Sequence, residues 1–186
     1  MREYTTSSRR IYDGRILSLE VRDIRREDGL TSMREVVLHG GAVGVLAREG
    51  SDGPFLLVRQ FRAGIGTYAI EVCAGVHDPG EASETAARRE LLEETGRTAT
   101  RLAPLGRLWS SPGWTTEFID VFYAECAPDP VATDFDSDEH VEVVAWTSEE
   151  LESAIRDGRI SDAKTVAAWA LYRLGPGAPG GAEGGN

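Results

Sequence analysis

The stretch Ala74–Gly96, AGVHDPGEASETAARRELLEETG, places Glu90, Glu93 and Glu94 within five positions, just ahead of a glycine. At about 100° per residue, the segment Ser83–Thr95 reads as one helix. Ser83 is its expected cap and Gly96 its left-handed stop. The three glutamates share one narrow face, Leu91, Leu92 and Thr95 point to a core, and Arg89 lies one turn before Glu93. Such a face is costly. Like charges one turn apart repel by a few tenths of a kcal/mol, roughly 0.2–0.5. Carboxylates near a helix C-terminus oppose the macrodipole by roughly 0.3–1 kcal/mol each. A solvated face could hold lysines there instead. Clustered carboxylate oxygens suit a hard divalent cation, which would turn the repulsion into binding.

Upstream of this helix, "GRILSLEVRDIRREDGLTSMREVVLHGG" alternates apolar and polar residues around Asp28-Gly29 and reads as antiparallel strands joined by a turn. "AVGVLAR", "PFLLVRQFR" and "TYAIEVCAG" follow as strands. Downstream, strands are expected at about Leu102–Trp109, Phe118–Glu125 and "VEVVAW". Thr147 and Glu150 form a capping-box pattern opening a helix that ends near Gly158. A last helix, about Asp162–Leu174, has Val166, Trp169, Ala170 and Leu174 at core-facing spacing. The glycine-rich end, residues 175–186, is expected to be disordered. Strands and helices alternate without a regular βαβ rhythm, which favours a mixed sheet with helices on its faces.

The 186 residues carry a formal charge of −11, which argues against nonspecific nucleic-acid binding and anionic membranes. It leaves room for an anionic small substrate, because bound cations reverse a local field. Two cysteines, Cys73 and Cys126, suggest no disulfide framework and a cytoplasmic protein. No stretch has the apolar character of a signal peptide or a membrane span.

The order Gly75, Glu81, Arg89-Glu90, Glu93-Glu94, Gly96 resembles the box of the Nudix hydrolases, which cleave nucleoside diphosphates linked to another moiety. All seven fixed positions match. At roughly one in fifteen per position, chance agreement is on the order of 10⁻⁸. Arg97 departs from the usual aliphatic residue closing the box. The resemblance implies an α/β (α+β) fold, an α/β/α sandwich with a mixed central sheet and an N-terminal antiparallel strand extension. It implies Mg²⁺, with Mn²⁺ as substitute, on Glu90, Glu93, Glu94 and the Ala74 carbonyl, with Arg89 holding the glutamates by ion pairing.

"VRQFR", "MREVVLHGGAV", "SSPGWTTE" and "GRISDAKTVAA" resemble the ADP-ribose pyrophosphatase subgroup, and the likeness spans most of residues 10–174. It implies hydrolysis of ADP-ribose to AMP and ribose 5-phosphate. Arg34, Glu35, His39, Arg62, Ser111 and Glu117 match substrate-binding positions. Glu139 matches the general base or a further metal ligand, with Asp138 and Asp136 as fallbacks. Cys73 stands where the subgroup usually has proline. The resemblance also implies a homodimer built through residues 1–40, with 41–174 as the hydrolase domain. The alternatives are another substrate, such as GDP-mannose or a dinucleotide, and a non-catalytic ligand sensor. The last expects lost box carboxylates, and none is lost.

Overall fold

The structure, a computed structural model, describes residues 1–131 and 141–175. They form two compact units: Met1–Gly41 with Trp109–Phe118, and Ala42–Leu108 with the described part of Ile119–Asn186.

The first unit is a three-stranded antiparallel sheet of β1 (Glu3–Asp13), β2 (Leu17–Arg26) and β3 (Thr31–His39), in that order. The expected turn at Asp28-Gly29 joins β2 to β3, with Gly29 at φ 87°. β1 was not expected. Its sequence is polar and every residue is exposed, so it has no burial pattern to read and is held by its pairing with β2.

In the second unit, β4 (Ala42–Glu49), β5 (Phe55–Arg62), β6 (Thr67–Glu71), β7 (Cys73–Val76), β8 (Ala99–Trp109), β9 (Phe118–Cys126) and β10 (Val141–Trp146) form one mixed sheet. Its order is β10-β5-β4-β9-β8, with β6 added on β5 and β7 on β4. β4 runs parallel to β9 and antiparallel to β5 and β7. The same edge of β4 meets β7 over Ala42–Val45 and β5 over Ala47–Arg48, so the sheet divides there. The chain crosses that division at Val72, between β6 and β7.

Alternating side chains feed two cores, as the period of a strand requires. On one face Val43, Val45, Ala47, Leu56, Cys73 and Phe122 pack with Ala86, Ala87 and Leu91 of α1 (Ser83–Thr95). On the other, Leu46, Phe55, Leu57, Val72, Val121 and Tyr123 pack with α2 (Ser148–Arg156) and α3 (Ala163–Leu174). Phe55 meets Trp169 edge-on at 5.1 Å, and Tyr123 stacks on Tyr172 at 4.9 Å. This is the expected α/β/α sandwich.

The Thr147–Glu150 capping box forms, and Asp162 caps α3 through Thr165. The face of α3 differs from expectation. Thr165, Ala168, Trp169 and Tyr172 are buried, Val166 and Ala170 are half-buried, and Leu174 is 85% exposed. The buried stripe is shifted from the expected one, keeping Tyr172 of the last turn in the core and turning Leu174 out of it. Ser83 does not cap α1. Ala82 is the cap residue, without a side-chain bond, and Ser83 Oγ donates to Asp120 Oδ2 at 2.6 Å.

Candidate active site

Gly96 ends α1 in the left-handed conformation, φ 67°, its N–H closing on the Leu92 carbonyl. Arg97, where an aliphatic residue was expected from the resemblance, pairs with Glu49 at 2.8 Å and donates to the Ala127 carbonyl at 3.3 Å. An ion pair thus fixes the chain after the helix.

The glutamates of α1 divide by environment. Glu93 is exposed, whereas Glu90 and Glu94 are buried. Arg89 gathers the group. Its Nε and Nη2 form a fork on Glu81 at 3.1 and 2.9 Å. Nη1 donates to Glu90 at 2.7 Å and Glu93 at 3.0 Å, and Nη2 also reaches the Val76 carbonyl at 3.1 Å. One planar guanidinium therefore ties the helix to the loop before it, a geometry lysine cannot reproduce. The Arg89 fork, helped by the Asp78 N–H, holds Glu81 down at about 2.

Gly75 answers to a close approach. A Cβ there would lie 1.9 Å from the carboxyl carbon of Glu90, so a side chain at this position and the carboxylate cannot coexist as placed. Next to it, the Ala74 N–H donates to Glu94 at 3.0 Å. In an extended residue N–H and C=O leave the same edge, so the Ala74 carbonyl also faces the α1 side. Burial lifts the Glu94 carboxyl to about 7, against the pull of the Cys73 thiol and the Ala74 N–H, and the charge of Glu90 adds to the rise. Burial first, and Glu94 second, push the Cys73 thiol well above its usual range.

These observations test the fit to a divalent cation. Glu90, Glu93, Glu94 and the Ala74 carbonyl are all hard oxygen donors, the chemistry Mg²⁺ requires. A buried carboxyl raised by burial and a neighbouring negative charge is a group that a cation would return to its ionised form. Among the described residues no three acidic, histidine or cysteine side chains form a ready-made cation cage; Arg89 holds Glu90 and Glu93 instead. The donor set fits the ion in chemistry.

A second network lies at the sheet's division. Arg62, expected at the substrate, makes a two-pronged bond to Glu71 at 3.0 and 2.8 Å. Glu71 is 3% exposed and also accepts from Lys164, which donates to Asp162 at 3.0 Å. Asp162 accepts from Thr165 Oγ1 at 2.6 Å, and Thr165 Oγ1 accepts from the Val72 N–H at 2.9 Å. Burial alone would raise Glu71, but Arg62 and Lys164 outweigh it and hold the carboxyl below its usual value. The relay joins the start of α3 to the strand that leads into Ala74. Glu71 and Lys164 were not singled out from the sequence. Their signals were a glutamate inside the apolar run "TYAIEVCAG" and the lysine of "DAKTV".

Arg34, Glu35, His39, Ser111 and Glu117 belong to the first unit, whereas Arg62 and the box belong to the second. Within the first unit, Arg34 pairs with Glu3 and donates to the Met33 carbonyl, and Glu35 is exposed. The Ser111 carbonyl accepts from the N–H groups of Trp114 and Thr115, both at 3.1 Å, forming the turn of "SSPGWTTE". That segment runs beside β3: the Val37 N–H donates to Trp114 O, and Thr116 Oγ1 accepts from the His39 N–H. His39 Nδ1 accepts from the Gly41 N–H at 3.1 Å and stands 3.7 Å from Glu117. His39, Glu117 and the Ser111 turn are therefore brought together. Glu139, with Asp138 and Asp136, lies outside the described residues.

The NUDIX domain pattern matches residues 38–169. The chain is 37% identical over 175 residues to the ADP-ribose pyrophosphatase of Bacillus subtilis (strain 168), covering 94% of each. It is 33% identical over 156 residues to the GDP-mannose pyrophosphatase of Yersinia pestis (strain Pestoides F), covering 77% of each. The crystal structure of an ADP compounds hydrolase shares the fold, with a TM-score of 0.81 over 94% of each chain at 23% identity.

Proposed function

We propose that this chain, which belongs to the NUDIX family, is a pyrophosphatase that hydrolyses a nucleoside diphosphate sugar, with ADP-ribose cut to AMP and ribose 5-phosphate. The observation that carries this reading is the box cluster. One arginine gathers Glu81, Glu90 and Glu93, and a buried, charge-starved Glu94 sits beside Ala74. The likeness to the Bacillus subtilis enzyme over nearly the whole chain favours ADP-ribose as substrate. The likeness to a GDP-mannose pyrophosphatase supports GDP-mannose as the alternative. The non-catalytic sensor reading is disfavoured, because every box carboxylate is present.

Glu90, Glu93, Glu94 and the Ala74 carbonyl would hold the metal, with Glu139 as a further ligand or the general base. Bound Mg²⁺, or Mn²⁺ in its place, would neutralise the pyrophosphate and acidify the attacking water. Arg89 keeps the carboxylates oriented and orders the loop through Val76. Arg62, anchored by Glu71, offers positive charge to the substrate's phosphates. Arg34, Glu35, His39, Ser111 and Glu117 would contact the rest of the substrate.

The same reading includes a homodimer through residues 1–40. Tyr4, Ile11, Tyr12 and Met33 of that sheet are exposed, and a partner would cover them. The reading also places the protein in the cytoplasm. Both cysteines are free and buried, and no described helix is long and apolar enough to cross a membrane.

The test is initial rates with Mg²⁺ on a panel of ADP-ribose, GDP-mannose, other nucleotide sugars and dinucleotides. The highest kcat/KM is expected for ADP-ribose. Faster cleavage of GDP-mannose at low substrate would overturn the substrate assignment, and no cleavage of any member would overturn the function.

A further inference from the structure

Resting on the reading of this chain as a nucleoside diphosphate sugar hydrolase, we propose that Gln60 is a ligand-facing residue of the site. Its side-chain carbonyl accepts an O–H donor that arrives with the bound substrate complex.

Gln60 is the penultimate polar position of β5, in the run FLLVRQFR. It is only 7% exposed, and its Oε1 is buried without a hydrogen-bond partner among the described residues. A buried polar atom left unpaired is rare and calls for a cause, because an apolar side chain would serve packing better. Strand alternation puts Leu56, Val58, Gln60 and Arg62 on one face of the sheet. Leu56 packs with Leu91 of α1, so this is the face α1 covers, the face of the box glutamates.

The cross-strand neighbours of Gln60 give its side-chain carbonyl no donor. Its cross-strand partners are Ala69 on β6 and Val141 on β10, and neither side chain offers a donor. Arg62 is opposite Thr67 and Glu71 opposite Val58, so the Arg62–Glu71 bridge reaches diagonally past the Gln60–Ala69 pair. Ala69 leaves room for it. Gln60 thus lies alongside a guanidinium whose charge is felt at Glu94. The described residues leave this acceptor, on the face of the box glutamates, with nothing to accept. Two donors have the required chemistry: a water of a hydrated divalent cation and a hydroxyl of the substrate's sugar.

The experiment compares wild type with Gln60→Met, which keeps length and loses the amide. Three quantities are read: the melting temperature of ligand-free protein in EDTA, the affinity for Mn²⁺ alone, and the affinity for α,β-methylene ADP-ribose with Mg²⁺. Removing an unsatisfied buried carbonyl is expected to raise the ligand-free melting temperature by roughly 2–4 °C. At the same time affinity falls about tenfold, the worth of one such bond. A fall already present with Mn²⁺ alone assigns the donor to the hydrated cation. A fall confined to the analogue assigns it to the sugar. A ligand-free variant that is less stable than wild type, or fails to fold, makes the amide structural and overturns the proposal. So does a variant that binds both probes as wild type does. If wild type itself does not bind the analogue, the functional reading fails beneath the proposal. Wild-type binding with an indifferent Gln60→Met sinks the proposal alone.

Discussion

Glu94→Gln separates the cost of the box from its use. In metal-free protein the Glu94 carboxyl sits at about 7 against an ordinary 4.5, chiefly because it is buried. At 1.36 kcal/mol per pH unit, its charged form is destabilised by about 3 kcal/mol, an upper figure if water enters the site. The sign follows from linkage. The folded protein keeps a proton that the unfolded chain releases between pH 4.5 and 7. Stability therefore falls as pH rises through that window, and the loss is complete above about pH 7. Glutamine keeps the acceptor for the Ala74 N–H and carries no charge. In EDTA the variant should melt close to wild type at pH 4.5 and above it by roughly 6–12 °C at pH 8, at 2–4 °C per kcal/mol for a chain of this size. Adding Mg²⁺ should stabilise wild type and leave the variant nearly unmoved, since only a state that binds is stabilised. Hydrolysis should collapse in the variant. Calorimetric melts from pH 4.5 to 9, with and without Mg²⁺, check each part. A melting difference that is flat with pH, or a variant less stable throughout, would refute the reasoning.

Three further outcomes follow from the same contacts. Gly75→Ala places a methyl where the Glu90 carboxylate lies, and a displacement on the order of 1 Å should lower kcat by roughly 100-fold, as steady-state rates would show. Arg89→Lys loses the fork on Glu81 and the shared bond to Glu90 and Glu93, and Mn²⁺ affinity by calorimetry should fall roughly 10–100-fold. Lys164→Met leaves buried Glu71 with one cation fewer, at a cost of about 3 kcal/mol by denaturant unfolding at neutral pH. Because Glu71 is held below its usual value in wild type, that stabilisation is present above pH 4.5 and lost as pH falls. The two proteins should therefore converge in acid.

The parts of this fold that were legible in the sequence are those with short-range causes. The box helix ends where its glycine must turn left-handed, and α2 starts at a capping box contained within four residues. The central strands carry the apolar patterns that two cores demand. What stayed hidden depends on partners far along the chain. Nothing near Ser83 reveals that Asp120 will take its hydroxyl, nor that Lys164 will reach Glu71. β1 buries none of its residues, so hydropathy had nothing to register. The helical period of α3 was legible, but its buried face, Thr165, Ala168, Trp169 and Tyr172, is offset from the expected one, because a threonine hydroxyl paired inside the core carries no apolar signal. At the site, spacing singled out the glutamates and Arg89. Gln60, the lone amide of β5, became visible through a buried carbonyl without a partner among the described residues.

The most direct test of the central claim is product analysis with ADP-ribose and Mg²⁺ in ¹⁸O-labelled water, run beside Glu94→Gln. The account predicts AMP and ribose 5-phosphate from wild type, with ¹⁸O on one of the two phosphates, and loss of both products in the variant. Unchanged ADP-ribose with wild type, or wild-type turnover by Glu94→Gln, would contradict it.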